Sequence, residues 1–294
     1  MKIKEFAEEI RNRISGKIED VLEIKIKPVL KNNNKKLTAF VFKERVQKVT
    51  PTIYLNEFYV EYVEQRKELD EIAEQIISLY KKYRVLDSVN VDFIRSWEKV
   101  KDKIVYRLIN KEQNKQLLKQ VPHEEVFDLA KVFYVSFDSE CSMLIHHGIC
   151  KEWNVTKEDL VKVAEENTQR LFPVQIMMPE EVIRKIFHIE KTEPVFSSIG
   201  MYFITNKCGM YGAGAILYPE VLSDLADKLN SDLYIFPSSV HEMGVILANE
   251  DHNPNMLIEI VREVNKSVVD KEEYLGENIY LYKKDTGEVS MITE

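Results

Sequence analysis

The sequence predicts an α+β protein in which mainly antiparallel sheets pack with helices. Several predicted strands follow one another in adjacent pairs, and no βαβ unit of even length repeats along the chain. Between these pairs, apolar residues recur three and four positions apart, which indicates amphipathic helices. The 294 residues are 45% hydrophobic and 31% charged, with nine glycines and nine prolines, a composition typical of a folded globular protein.

The N-terminal elements have the clearest patterns. A helix is predicted by the apolar stripe of Ile3, Phe6, Ala7, Ile10 and Ile14. A hairpin follows, in which "VLEIKIKPVL" and "LTAFVFKE" flank the polar tip "KNNNKK", with Leu22, Ile24 and Ile26 on one face and Phe40 and Phe42 available to pair. The segment "PTIYLNEFYVEYVEQ" predicts a short strand and then a helix, and residues 67–83 predict another helix.

The C-terminal part alternates between predicted strands and helices. Strands are predicted at "IVYRLI", "VFDLAKVFYVSF", "GMYFIT", "GAGAILY", "DLYIF" and "VHEMGVIL", with a final hairpin in "NIYLYKKDTGEVSMI". The segment "CSMLIHHGICKEW" fits either a strand or the start of a helix. Thr156 is the predicted N-cap of a helix that ends near residue 170, and Pro179, Pro219 and Pro254 each predict the first turn of a further helix.

The charge is distributed unevenly along the chain. Residues 1–120 contain 26 Lys and Arg against 19 Asp and Glu, whereas residues 121–294 contain 15 against 30. This change and Pro122 predict a basic N-terminal lobe over 1–120 and an acidic C-terminal lobe over 121–294, with the boundary in 112–122; a single domain remains the alternative. Such segregation fits solvated faces that simply differ in charge; the alternatives are an anionic ligand on the first half, or a bipolar molecule that docks on itself or on a partner.

Targeting and cysteine patterns predict a cytoplasmic protein. The N-terminal "MKIKEFAEEIRNRIS" lacks an apolar signal core, and no apolar run approaches the roughly 20 residues of a membrane span. The three cysteines include no CxxC pair, so neither a disulfide framework nor a zinc ribbon is predicted. In "NKCGMYGAGAILYPE" the residues after Gly214 do not fit a phosphate loop, and the glycines indicate a turn and a close backbone approach. No cofactor is therefore predicted.

The segment "LYIFPSSVHEMGVI" (233–246) offers the first candidate site. Ser239 and His241 are candidate nucleophile and base of a hydrolase, with a carboxylate from elsewhere in the fold. If Val240–Leu247 is a strand, Glu242 points to the opposite face from His241 and cannot orient it. The interpretation that fits better is a bend between paired strands, in which the serine oxygens bond to local backbone.

Two further candidate sites are weaker. The basic stretch 95–119 contains eight Lys and Arg against three acids, and Lys101, Lys103 and Arg107 are candidate contacts for a nucleic acid or another anion. A strand flanked by charged helices explains the same pattern. His146 and Cys150 are four residues apart and would share a helix face, but the surrounding sequence supplies no further ligands for a metal.

Four segments together resemble a domain-of-unknown-function family from Firmicutes, especially gut Clostridia. They are "PTIYLNEFY" (51–59), "FITNKCGMYGAGAILYPEVLSDLADKL" (203–229), "LYIFPSSVHEMGVI" (233–246) and "IVREVNKSVVDKEEYLGENIYLY" (260–282). The resemblance covers nearly the whole chain and implies a bacterial cytoplasmic origin, but it assigns no activity and no catalytic residues. The expected function is that of a non-enzymatic interaction or regulatory protein with a protein partner, acting through a groove between lobes or an exposed sheet edge. Hydrolysis and nucleic-acid binding are the alternatives.

Overall fold

The computed structural model describes residues 1–19, 21–44, 51–84, 91–137, 141–181, 200–249 and 253–292. The chain divides into two compact units, Met1–Val100 and Lys101–Glu294. Both contain antiparallel sheets packed with helices, so the predicted α+β class is confirmed. The first unit has 20 basic against 17 acidic residues and the second has 21 against 32, which concentrates the negative charge in the second unit.

Among the described residues, runs of consecutive strands and runs of consecutive helices follow one another along the chain. The helices are α1 (Ile3–Ile14), α2 (Asn56–Val63), α3 (Leu69–Arg84), α4 (Val91–Arg95), α5 (Trp97–Val100), α6 (Lys115–Leu118), α7 (His147–Trp153), α8 (Lys157–Leu171), α9 (Val221–Leu229) and α10 (Pro254–Val268). The strands are β1 (Val21–Leu30), β2 (Lys36–Glu44), β3 (Thr52–Tyr54), β4 (Ile104–Asn110), β5 (His123–Val126), β6 (Leu129–Ser136), β7 (Ser142–Leu144), β8 (Val174–Met177), β9 (Met201–Asn206), β10 (Leu233–Ser239), β11 (Glu242–Leu247), β12 (Ile279–Tyr282) and β13 (Val289–Ile292). Short 3₁₀ segments occupy Asn32–Asn34, Lys101–Lys103 and Gly212–Leu217.

The first unit packs α1 and α3 against a three-stranded sheet in the order β1-β2-β3. The predicted pairing of the hairpin is confirmed, because Ile24 lies opposite Phe42 and Ile26 opposite Phe40. Leu22 is exposed instead of sharing their face, since the register shifts between Val21 and Glu23. The core of this unit is formed by buried residues of α1, α3 and the sheet, including Phe6, Ile10, Phe40, Ile72 and Ile76.

The second unit contains two antiparallel sheets. One has the strand order β13-β12-β10-β11-β9-β8, and in the other β6 pairs with β4 on one side and with β5 and β7 on the other. The predicted boundary at 112–122 falls inside this unit, because β4 pairs along its whole length with β6. Helix α8 closes the other edge of β4: Thr168 Oγ1 accepts from Tyr106 N at 3.0 Å, and Asn167 Nδ2 donates to Ile104 O at 3.1 Å.

Two helix starts agree with the predictions. Thr156 caps α8 and shares a capping box with Asp159, and Asn253 caps α10, whose first turn contains Pro254. Pro219 was expected in a first turn but precedes α9, which begins at Val221. Most of the segment predicted as a helix from Pro179 lies after residue 181, outside the described residues.

Several predicted strands have different bounds or a different form. "GAGAILY" is a 3₁₀ helix rather than a strand, because its glycines let the backbone turn tightly against β9. The strand predicted from residue 126 begins at Leu129, after a turn that includes Phe127 at positive φ. The strand predicted from Val240 begins at Glu242, since Val240 and His241 form the tip of the hairpin. "CSMLIHHGICKEW" contains both β7 and α7.

Within the described ranges, no helix combines the length and the apolar character that crossing a membrane would require.

Candidate functional site

Arg107 is the centre of a stacked cluster in the second unit. Its guanidinium carbon lies 4.2 Å from the centroid of the Tyr134 ring and 3.8 Å from that of Tyr211, and its Nη2 donates to Ser142 Oγ at 3.0 Å. Stacking on two aromatic faces restricts the guanidinium plane and leaves its donating edge as the direction for a further partner. Among the described residues, no carboxylate is within ion-pair distance of Arg107.

Strand register brings Arg107, Tyr134 and Ser142 together. Arg107 lies opposite Val132 on β6, so Tyr134, two residues further along β6, is its diagonal neighbour on the same face. Tyr134 in turn lies opposite Leu144 on β7, which places Ser142 nearby. Arg107 is the only residue of β4 that is not buried. Strand register therefore places one aromatic ring and one hydroxyl beside this partly exposed cation.

The loop after β9 supplies Tyr211. The buried side chain of Asn206 holds this loop: Oδ1 accepts from Gly209 N at 2.9 Å and from Cys208 Sγ at 3.0 Å, and Nδ2 donates to Met210 O at 2.9 Å. Tyr211 then adopts a left-handed conformation with φ 53°. A non-glycine residue there is strained by about 1–3 kcal/mol, and such residues concentrate at functional sites. In this backbone conformation the exposed Tyr211 ring lies over Arg107.

His241 supports Tyr211 from the tip of the β10–β11 hairpin. Its Nδ1 accepts a hydrogen bond from Tyr211 N at 3.0 Å, and the two ring centroids are 5.3 Å apart. Its Nε2 lies 3.3 Å from Glu273 Oε1, and its carbonyl accepts from Thr205 Oγ1 at 2.8 Å. Because Nδ1 is an acceptor, the proton of the neutral ring is on Nε2 and faces the carboxylate. His241 is thus fixed on three sides.

Ser239 and His241 lie close together, but not as nucleophile and base. Ser239 Oγ accepts from His241 N at 3.0 Å, and both ring nitrogens of His241 have other partners. A serine hydrolase needs an imidazole nitrogen that accepts the serine proton, and this arrangement leaves none for Ser239. The segment forms the bend that its Pro-Ser-Ser sequence indicates, with a serine oxygen bonded to local backbone.

The glycine-rich loop approaches its neighbours as closely as its sequence suggests. A Cβ on Gly212 would lie 2.3 Å from Thr205 Oγ1, 2.6 Å from Asn206 N and 2.8 Å from His241 O. Tyr106 Oη donates to Gly214 O at 3.0 Å, and burial raises the pKa of this phenol, so it remains a donor. Close contacts at Gly212 and a hydrogen bond to Gly214 therefore fix the position of this loop.

Comparison with known proteins places the whole site inside one family. A model described as a family of unknown function (DUF5688) matches residues 3–284. The chain belongs to this family. Searches of curated proteins and of solved structures gave no match. The DUF5688 match includes every residue of the Arg107 cluster, and it assigns a role to none of them.

The other predicted site residues lie elsewhere in this DUF5688 chain. Lys101 and Lys103 belong to the 3₁₀ turn before β4, and Tyr106, an aromatic of the same basic stretch, is buried and cannot stack on a base. His146 precedes α7 and Cys150 lies within it; burial lowers the pKa of His146 and raises that of the Cys150 thiol. Within the described part of the chain, no three His, Cys, Asp or Glu side chains are grouped to hold an ion.

Sequence reasoning found Arg107 and His241 but assigned them to separate sites. It missed Tyr134, Ser142, Tyr211 and Glu273, which come from four separate segments of the DUF5688 chain. The one local signal was the glycine-rich stretch around Tyr211, where a close backbone approach was expected. Partners that are joined by strand register leave no pattern along the sequence.

Proposed function

We propose that this member of the DUF5688 family is a non-catalytic interaction protein that holds a carboxylate of a partner protein at Arg107. The observation that carries the proposal is the stacked, partly exposed guanidinium, with no carboxylate partner among the described residues. A guanidinium presents five donors and binds a carboxylate in a bidentate manner. Exposed Tyr211 and Met210 lie beside it, and Tyr, Met and Arg are enriched at protein interfaces.

The net negative charge of the second unit limits which anionic ligands Arg107 can bind. With 21 basic against 32 acidic residues, this unit repels polyanions at long range. A single carboxylate in an otherwise neutral or basic peptide avoids that repulsion and still pairs with Arg107. Nucleic acid fits less well for the same reason, and the hydrolase alternative lacks a base for Ser239. The resemblance supports a bacterial, cytoplasmic setting in Firmicutes for this interaction.

The first experiment is a peptide titration followed by NMR of protein labelled with ¹⁵N-arginine. The probes are a blocked, lysine-flanked peptide with one glutamate and the same peptide with glutamine in its place. We expect the glutamate peptide to shift the side-chain signals of Arg107 and to bind about tenfold more tightly than its twin. Arg107→Gln should abolish this difference, and Arg107→Lys should weaken binding because it loses the bidentate geometry.

Lys103→Gln is the matched control, because it removes a nearby charge of the same basic stretch without changing the stack. It should leave the affinity for the glutamate peptide within about twofold. Equal binding of the two peptides, or full binding by Arg107→Gln, would refute the proposal. Salt-sensitive retention of the protein on poly(dT) that depends on Lys101 and Lys103 would instead support the nucleic-acid alternative.

A further inference from the structure

The two ring nitrogens of His241 have different partners. Nδ1 accepts the hydrogen bond from Tyr211 N at 3.0 Å, and Nε2 lies 3.3 Å from Glu273 Oε1. Nδ1 can accept only while it carries no proton, so the bond to Tyr211 requires the neutral ring, in which the proton on Nε2 faces Glu273. A second proton must therefore bind at Nδ1, directly against the N–H of Tyr211.

The charged and titratable groups around this ring come from several elements. Glu273 belongs to the turn that follows α10, and the phenol of Tyr211 belongs to the loop after β9, with its ring centroid 5.3 Å from that of the imidazole. Arg107 of β4 stacks on the Tyr211 ring. Glu242, the next residue in the chain, accepts instead from Ser238 Oγ at 3.2 Å. Glu273 thus favours the imidazolium, whereas the Tyr211 N–H and the Arg107 cation oppose it.

Tyr211 is the residue of its loop that protonation would move. The residues before it are tied to the buried side chain of Asn206, which bonds to Gly209 N and Met210 O. The residue after it, Gly212, has no room for even a Cβ. Tyr211 itself has an exposed ring and a φ of 53°, which is unfavourable for a non-glycine residue. Losing the bond to the imidazole removes the contact that offsets this strain.

We infer that His241 is a pH-sensitive switch: the neutral imidazole holds Tyr211 on Arg107, and the protonated imidazole releases it. The assembled loop binds one proton fewer than the released loop. The equilibrium therefore moves toward release as the pH falls through the titration of the ring. The side chain of His241 is 24% exposed, so protons from solvent reach it. Histidine side chains ordinarily titrate between about pH 5 and pH 8, within the range in which a protein can use them as a switch.

The consequence for binding rests on the proposed function of Arg107. Tyr211 covers one face of the guanidinium, and its departure loosens the geometry that presents the donors to a carboxylate. The glutamate peptide should therefore bind at least about fivefold more weakly at pH 5.5 than at pH 7.5, which corresponds to the loss of about one hydrogen bond. The movement of the loop involves no ligand and can be measured on its own.

NMR of the full chain labelled with ¹⁵N-tyrosine and ¹⁵N-histidine, from pH 8 to pH 5, tests the switch. Tyr211→Phe identifies the Tyr211 amide signal because it removes the label from that position, and His241→Asn identifies the ring signals in the same way. We expect the Tyr211 amide and the His241 ring to change with one shared midpoint. The amide of Tyr106, which donates to Thr168 Oγ1, is the internal reference and should not follow this transition.

Three variants separate the switch from a general effect of acid. His241→Asn keeps an acceptor but does not titrate, so the Tyr211 amide should stay constant and peptide binding should retain only the pH dependence of the peptide itself. Glu273→Gln should move the transition to lower pH, because the imidazolium loses its carboxylate. His147→Gln is the matched control: this exposed histidine starts α7, and its loss should leave the transition unchanged.

The Tyr211 amide decides between the outcomes. A shared midpoint that His241→Asn removes and His147→Gln retains supports the switch. A ring that titrates without any change at Tyr211, or that does not titrate between pH 8 and pH 5, overturns it. A transition of Tyr211 that persists in His241→Asn overturns it as well. A glutamate peptide that binds at no pH refutes the proposed function, while the Tyr211 signal still decides whether the loop is switched.

Discussion

The backbone N–H of Tyr211 donates a hydrogen bond to Nδ1 of His241 across 3.0 Å. Tyr211 has φ 53°, a conformation that costs a non-glycine residue free energy. The bond to His241 compensates part of that cost, and Glu273 holds the imidazole from its other nitrogen. His241 is therefore a positioning residue: it fixes Tyr211, and Tyr211 covers one face of Arg107.

The first prediction concerns His241→Ala. This variant removes the acceptor for Tyr211 N, so the fold should lose about 1 kcal/mol and the affinity for the glutamate peptide should fall several-fold. His241→Asn should recover part of both losses, because an amide oxygen can take the place of Nδ1. Urea unfolding and the peptide titration measure the two effects. Unchanged peptide affinity in His241→Ala would show that Tyr211 does not depend on the imidazole.

The second prediction is that Gly212→Ala destabilises the second unit strongly. The added Cβ would contact Thr205 Oγ1, Asn206 N and His241 O at 2.8 Å or less, and two of these are backbone atoms that cannot move aside. The expected loss is about 2–3 kcal/mol in the free energy of unfolding, measured with urea.

Gly148→Ala is the matched control for that experiment. Gly148 lies in helix α7, and a Cβ there would meet nothing within 4 Å. This substitution should stabilise the protein by about 0.4–1 kcal/mol through the lower entropy of the unfolded chain. Equal effects of the two substitutions would argue against the close approach at Gly212.

The sequence predicts most elements of the fold but not their bounds at turns. Helix α1 and the β1–β2 hairpin follow directly from apolar periodicity, because each buries one face. The apolar run at the end of "GAGAILY" favours a strand, yet the segment is a 3₁₀ helix that packs against β9 and Tyr106. Leu22 keeps the alternation of its strand, but a register shift takes it out of the core.

The candidate site was harder to predict than the fold, because its residues meet only through strand pairing and tertiary contacts. Arg107 and Tyr134 are 27 positions apart along the chain and become neighbours only through the β4–β6 register. His241 was recognised, but local sequence could not show that a tyrosine backbone and a distant glutamate would occupy its two nitrogens. Apolar periodicity predicts which face of a helix or strand is buried, whereas the residues that a side chain contacts depend on how the elements are arranged in the fold.

The third prediction concerns Asn265, which is buried where α10 meets two segments of backbone. Its Nδ2 donates to Pro237 O at 3.2 Å and to Gly276 O at 2.8 Å. Asn265→Leu should destabilise the protein by about 1–3 kcal/mol, because both carbonyls lose this donor. The exposed Asn255 of the same helix is the control, and Asn255→Leu should change the free energy of unfolding by about 0.5 kcal/mol or less. Similar losses in the two variants would rule out the buried amide as the cause.

The fourth prediction is a pH dependence at Asp232. The hydrogen bond from Lys283 Nζ, followed by that from Lys284 N, lowers the pKa of this carboxyl. A carboxyl whose pKa is lower in the folded chain stabilises the fold above its pKa in the unfolded chain, about 3.9, and this stabilisation is lost as the pH falls through the folded value.

Asp232→Asn should therefore lower the urea midpoint at pH 7, and its effect should shrink as the pH falls below about 3.9 and through the lower pKa of the folded chain. Lys283→Ala should remove much of the same dependence, since it takes away the largest cause of the shift. Because Lys283 is exposed, high salt should reduce the difference between wild type and variant. Urea titrations from pH 2 to pH 7 measure this directly. A difference in midpoint that stays constant over that range would mean that Asp232 acts through hydrogen-bond geometry alone and not through its charge.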